Sequence, residues 1–197
     1  MRNVPFMSSH QVRARCSVFI ATSLDGFIAR RDGRVDWLSI VERPGEDYGY
    51  KRFFESIDAL VVGRNTYEMA LGFGEWPYAG KRCIVMTGAE RASKHGEEFY
   101  AGAPASLVER LAAEGTKRIY VDGGSVVQQF VAAGLVTDMV ISILPILLGE
   151  GIPLFGATGR DVPLDLVESR SFESGLVQLE YRVPAVTVDR ARPPDRR

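Results

Sequence analysis

The chain has 197 residues, 46% of them hydrophobic, which is enough to bury one sizeable core. Its 24 Lys and Arg nearly balance 25 Asp and Glu, and a formal charge of -1 offers no electrostatic footprint for nucleic acid or an anionic membrane surface. No apolar run is long enough to span a bilayer and no signal peptide is evident, so a cytoplasmic protein without membrane or nucleic-acid partners is expected.

Residues 1–15 are polar and mixed and read as a loose tail. The first strand is expected at about 16–22, followed by a long polar loop, about 23–46, punctuated by Asp25-Gly26, Asp32-Gly33 and Pro44-Gly45. A short helix over about 47–56 would turn Tyr50, Phe53 and Phe54 toward a sheet. A strand at 59–63 leads into a helix that Asn65 starts, with Glu68 completing a capping box. A strand at 82–87 follows, then a charged loop, then a helix from Ser106 with Glu109 in the third position and an end before Gly115. After a strand at 118–121, Ser125 caps a helix with Gln128, and Gly134 ends it. A long strand at 136–144, a loop over 148–155, and two strands at about 164–172 and 176–183 complete the chain, the last two joined by a Glu173-Ser-Gly175 hairpin signal. Residues 184–197 are rich in Pro and Arg and read as a second tail, leaving a single domain over 16–183.

Several chemistries find no support. Cys16 and Cys83 fall inside predicted strands and read as reduced packing residues. His10 and His95 have no Cys or His neighbour at ligand spacing, so no metal is expected. No Gly-x-Ser-x-Gly elbow is present. Chemistry carried by a bound cofactor remains.

Four apolar runs point to where that cofactor sits. They end in Ala21-Thr-Ser-Leu-Asp-Gly26, Gly63-Arg-Asn-Thr66, Thr87-Gly88 and Asp122-Gly-Gly-Ser125. Apolar runs without alternation read as strands buried on both faces of a parallel sheet, and ligands of such sheets lie at the strands' carboxyl ends. Glycine there lets backbone approach a phosphate, and the N–H groups of a helix start attract it. Each turn taken alone could equally be an ordinary strand-to-helix connection. The expected fold is α/β: a mixed, mainly parallel sheet flanked by helices on both faces, with an antiparallel C-terminal hairpin.

From about Val18 to Tyr181 the chain resembles the dihydrofolate reductase-like superfamily, and within it the family of the reductase domain of the bacterial riboflavin-pathway deaminase–reductase. The residues that carry the resemblance are Ala21-Thr-Ser-Leu-Asp-Gly-Phe-Ile28, Val62-Gly-Arg-Asn-Thr-Tyr-Glu68, Val121-Asp-Gly-Gly-Ser125, and Leu144-Pro145 with Leu148-Gly-Glu-Gly-Ile-Pro-Leu-Phe155. The resemblance implies NADPH. Ala21 and Ile28 would flank the nicotinamide, and Gly63, Arg64, Asn65 and Thr66 would hold phosphates. Thr87 and Gly88 would lie near the adenosine ribose, and Gly123, Gly124, Ser125 and Val126 would hold the pyrophosphate. Arg64 is the candidate for the phosphate that separates NADPH from NADH, with Arg91 or Lys94 assisting. By the same resemblance Asp47 takes the place of a catalytic acid supported by Ser142; a carboxylate that merely steadies a helix start is the equal alternative. Asp25 reads as shaping the turn with Gly26.

The resemblance implies an NADPH-dependent reductase of a small heterocycle, pteridine- or pyrimidine-like, acting as a homodimer. The alternatives are the 5-amino-6-(5-phosphoribosylamino)uracil reductase of riboflavin biosynthesis, a dihydrofolate reductase, or a non-catalytic NADP-binding protein. The chain departs from dihydrofolate reductases in lacking Trp-x-Leu-Pro before the acidic helix, having Asp36-Trp-Leu-Ser39 instead. It departs from the riboflavin-pathway enzyme in lacking an Asp-Pro pair after the second strand's turn.

Overall fold

A computed structural model of the chain describes residues 13–89 and 92–184. The strands are β1 (Arg15–Ser23), β2 (Phe27–Ala29), β3 (Ala59–Gly63), β4 (Arg82–Met86), β5 (Glu98–Tyr100), β6 (Arg118–Asp122), β7 (Val136–Leu144), β8 (Ile152–Pro153), β9 (Asp165–Ser171) and β10 (Val177–Arg182). The helices are α1 (Tyr50–Glu55), α2 (Arg64–Ala70), α3 (Pro104–Ala113) and α4 (Gly124–Ala132), with a 3-10 turn over Asp36–Val41 between β2 and α1.

Eight strands form one sheet in the order β5-β4-β3-β6-β1-β7-β10-β9. From β5 to β7 neighbouring strands run parallel, whereas β10 pairs antiparallel with both β7 and β9. The apolar runs of β3, β4 and β6 are buried in their central residues, as expected of strands covered on both faces. One face carries Val61, Ile84, Ile119 and Val121 against Leu107 and Leu111 of α3 and Phe130 of α4. The other carries Leu60, Val62, Val85 and Tyr120 against Phe53 of α1 and Tyr67 of α2. The expected mixed, mainly parallel sheet with helices on both faces and an antiparallel end is therefore present.

Several boundaries differ from expectation. The loop expected over 23–46 contains β2 and the 3-10 turn, and the 148–155 loop contains β8, which pairs with β2. Strand β5, in the charged loop, escaped the sequence reading. No helix has the expected side-chain cap: α2 starts at Arg64 with Gly63 as N-cap, α3 starts at Pro104, and α4 starts at Gly124 with Gly123 as N-cap. Pro104 accounts for the early start of α3, since it lacks the N–H that a first-turn residue leaves unpaired. Helix α1 begins at Tyr50 rather than 47. The tail expected at 1–15 lies outside the described residues except for 13–15, where Arg15 already belongs to β1; that at 184–197 lies outside them except for Pro184. Cys16 and Cys83 are both buried and free. No helix among the described residues is long and apolar enough to cross a membrane.

Candidate functional site

The parallel strands end along one edge of the sheet, and a cavity of about 1340 Å³ opens there. Adjacent strands β3 and β6 deliver the starts of α2 and α4 to its wall, because each strand passes into its helix through a glycine. The two helix starts abut. A Cβ on Gly123, whose φ is +92°, would come within 2.3 Å of Thr66 Oγ1, and one on Gly63 would lie 3.2 Å from Val126 Cγ2. A Cβ on Gly124 would meet Ile28 Cδ1 at 2.9 Å. Packing crowds a side chain at all three positions, and at Gly123 the positive φ disfavours one as well. Neither helix start has a side-chain cap, and Gly63 to Thr66 and Gly123 to Val126 all line the cavity, so two helix N-termini border one space, as in sites that bind phosphate.

The sequence-derived residues converge on this cavity. Ala21, Ile28, Gly63, Arg64, Asn65, Thr66, Gly123, Gly124, Ser125, Val126, Asp47 and Ser142 all line it. Thr87 and Gly88 do not; Met86, at the end of β4, lines it in their stead. Thr87 instead extends the pairing toward β5, its N–H donating to the Tyr100 carbonyl at 3.0 Å.

Three polar groups in the wall have distinct environments. Asp122, the last residue of β6, is half-buried in the lining. Burial raises its pKa to about 6, against the opposing pull of the Gly123 N–H and the Tyr120 hydroxyl. The Gly123 N–H donates to Asp122 Oδ1 at 2.8 Å. Asp47 is exposed and accepts from the backbone N–H of Gly49 at 2.9 Å and of Lys51 at 3.0 Å. Those bonds hold its carboxyl below the usual range. Ser142 is buried on β7 opposite Ala21, and its hydroxyl accepts from Gln178 Nε2, which also donates to the Tyr48 carbonyl, both at 3.0 Å. Asp122 was not singled out in the sequence as a chemical group. The available signal was an acid placed directly before Gly-Gly at the end of a buried strand.

The RibD C-terminal domain model matches residues 76–178. The uncharacterized protein YwjB of Bacillus subtilis (strain 168) is 36% identical over 168 residues, covering 83% of this chain and 95% of its own. The chain belongs to the RibD C-terminal domain family. A solved structure of a putative riboflavin biosynthesis protein from Shewanella sp. PV-4 is also 36% identical, with a TM-score of 0.82 over 87% of this chain and 99% of that one. The dihydrofolate reductase of Enterococcus faecalis, solved with NADP(H), is only 17% identical but superposes with a TM-score of 0.61 over 87% of this chain and 97% of its own. This member of the RibD C-terminal family therefore has the dihydrofolate reductase-like fold.

Two further carboxylates shape the site in this RibD-type domain. Asp25 accepts from Ser23 Oγ at 2.6 Å and from the N–H groups of Leu148 and Gly149 at 3.1 and 2.7 Å, tying the loop after β7 to the turn after β1. It shapes the turn, as expected. Glu97 is buried and receives the Tyr67 hydroxyl together with the N–H groups of Lys94 and His95, at 2.8 and 2.7 Å. Burial pushes its carboxyl up, but these donors outweigh burial and hold it at about 2. Glu97 thereby anchors the loop carrying Lys94 to α2, the helix that starts with Arg64, while His95 stacks on Trp76 at 4.6 Å. Arg91 lies outside the described residues.

Proposed function

We propose that the chain is an NADPH-dependent reductase of a small, flat heterocycle of pteridine or pyrimidine type. The observation that carries this reading is the single cavity into which two abutting, uncapped helix starts open. Its volume, about 1340 Å³, exceeds that of an ordinary small-molecule pocket and leaves room for a cofactor and a substrate together. When bound, NADPH supplies a hydride to a C=N or C=O carbon of the substrate. Gly63 to Thr66 and Gly123 to Val126 hold the phosphates, with Arg64 forking onto the one that NADH lacks. Ala21 and Ile28 bound the nicotinamide. Thr87 and Gly88 stay near the adenosine end only through their neighbour Met86.

The proton goes to the substrate atom next to the hydride acceptor, and Asp122 is the group we assign to hold it. A carboxyl with a pKa near 6 keeps a protonated fraction at neutral pH, as a general acid requires. Asp47, bound to two backbone N–H groups and held acidic, serves the start of α1 instead, and Ser142 with Gln178 fixes Tyr48 beside the cavity. Family membership favours the pyrimidine reductase of riboflavin synthesis as the second reading. A homodimer belongs to the proposal too: all seven residues of edge strand β9 are exposed, Leu166 and Val167 among them, and a second copy would cover them.

The test is NADPH oxidation in the presence of pteridine and pyrimidine heterocycles. Oxidation that requires the heterocycle, survives Asp47→Asn and falls by at least about 100-fold in Asp122→Asn supports the reading. Tight NADPH binding with no heterocycle-dependent oxidation leaves a non-catalytic NADP-binding protein.

A further inference from the structure

The strand order divides the cavity into two parts. The helix starts assigned to phosphate follow β3 and β6, whereas the rest of the lining lies over the ends of β1 and β7, beside the start of β10 and under the segment between β2 and α1; Asp122, at the end of β6 next to β1, stands at the border of the two parts. The charges of that segment are unlike those of a phosphate site. Arg34 pairs with Asp32 at 2.7 Å, Arg30 with Asp36 at 2.8 Å, and Arg31 with Glu150 at 3.0 Å. Beyond these, Glu42, Glu46 and Asp47 line the cavity against one further cation of the lining segment, Arg43, whose guanidinium donates to a backbone carbonyl, that of Glu42, at 2.7 Å, while Lys51 acts on Asp47 from outside the lining. None of these three carboxylates makes an ion pair with a described residue.

The paired arginines are exposed, and exposed pairs are weak enough to open for a better partner. Opening one would nevertheless free its own carboxylate beside the incoming anion, so the charge met by a substrate does not depend on whether the pairs hold. A cleft rim with an excess of negative charge repels a phosphate dianion, and its apolar walls focus that field. The surfaces available to a substrate here are aromatic and aliphatic: Phe19, Leu38, Tyr48, Tyr50 and Leu176 line this part of the cavity.

We infer that the substrate is an uncharged or cationic flat heterocycle without a phosphate ester, and that the excess carboxylates between β2 and α1 exclude the phosphorylated counterpart. The inference rests on the reductase reading, since that reading decides which part of the cavity is left for substrate. It separates this chain from a reductase of a phosphoribosyl pyrimidine.

Riboflavin and its 5′-phosphate provide a matched pair of probes, alike in heterocycle and side chain and differing in the phosphate alone. The experiment titrates each into the full chain saturated with NADP+, following flavin fluorescence, at low and at high salt. Riboflavin binding tighter than its phosphate by about tenfold at low salt supports the proposal, with the gap narrowing at high salt as screening requires. A matching narrowing in the Glu42→Gln/Glu46→Gln variant, which leaves every ion pair of the segment in place, supports it further and assigns the discrimination to these carboxylates. Equal or tighter binding of the phosphate overturns it, as does failure of riboflavin to bind while NADP+ binds normally. Failure of NADP+ itself to bind removes the reductase reading first and is read separately in the same titration.

Discussion

Asp122 is the residue at which stability and the proposed chemistry pull in opposite directions. Its carboxyl ends a central strand, and burial raises its pKa above the ordinary value, so the folded state favours its protonated form. A raised carboxyl pKa contributes stability that is complete below the unfolded value and lost as pH rises through about 6. Asp122→Asn keeps the acceptor for the Gly123 N–H and removes the ionisation. Thermal unfolding of the variant is expected to show a gain of about 2 kcal/mol over the parent at pH 8 and little difference at pH 4. In the parent, heterocycle-dependent turnover is expected to decline as pH rises above about 6, which a pH–rate profile checks. The sequence contained Asp122 within a readable motif, but not its character as an acid, because its burial follows from how β6 is packed within the sheet and not from its neighbours in the chain. Asp47 was readable as a carboxylate near a helix start; its bonds to the Gly49 and Lys51 N–H groups, made across a turn, were not, and they support the helix-start role we propose for it.

At the level of elements, the site is made by two strand-to-helix turns that touch. Gly123 sits where a positive φ and the Thr66 hydroxyl both exclude a side chain. Gly123→Ala is expected to cost about 1–3 kcal/mol in denaturant unfolding, from backbone strain and from forcing α2 and α4 apart. NADPH affinity should fall by at least about tenfold in calorimetry because the paired donors lose their common geometry. The strands behind these turns were readable because β3, β4 and β6 are short unbroken apolar runs ending in small residues. Strands β5 and β8 were not, since they have three and two residues and exist through pairing with β4 and β2 rather than through local preference. The capping boxes failed for a related reason. Their serines and asparagine lie within the first turn, and the N-cap positions belong to Gly63 in α2, Ala103 in α3 and Gly123 in α4, none of which has a side chain that could cap.

Across the whole molecule, the edge of the sheet opposite the cavity holds the structural charges. Asp138, 8% exposed in its side chain, accepts from Arg15 at 2.6 Å and Ser17 at 3.0 Å, with Arg118 at 3.4 Å. This network joins the starts of β1, β6 and β7. Burial pushes the Asp138 carboxyl up, but the Arg15, Thr137 and Ser17 donors prevail and lower it. Its contribution to stability is therefore present above the usual carboxylate range and lost as pH falls through the lowered value. Asp138→Ala is expected to cost about 3 kcal/mol near neutral pH, leaving two guanidinium groups without their buried partner, and to flatten the loss of stability in acid; chemical denaturation at two pH values checks both. The central claim is that the edge at the cavity is an NADPH site, and titration of the full chain with NADPH and with NADH, following nicotinamide fluorescence, tests it most directly. The account predicts tight NADPH binding, NADH binding weaker by at least about tenfold, and loss of that preference in Arg64→Ala. Failure of both nucleotides to bind, or equal affinity for both that Arg64→Ala leaves unchanged, would contradict it.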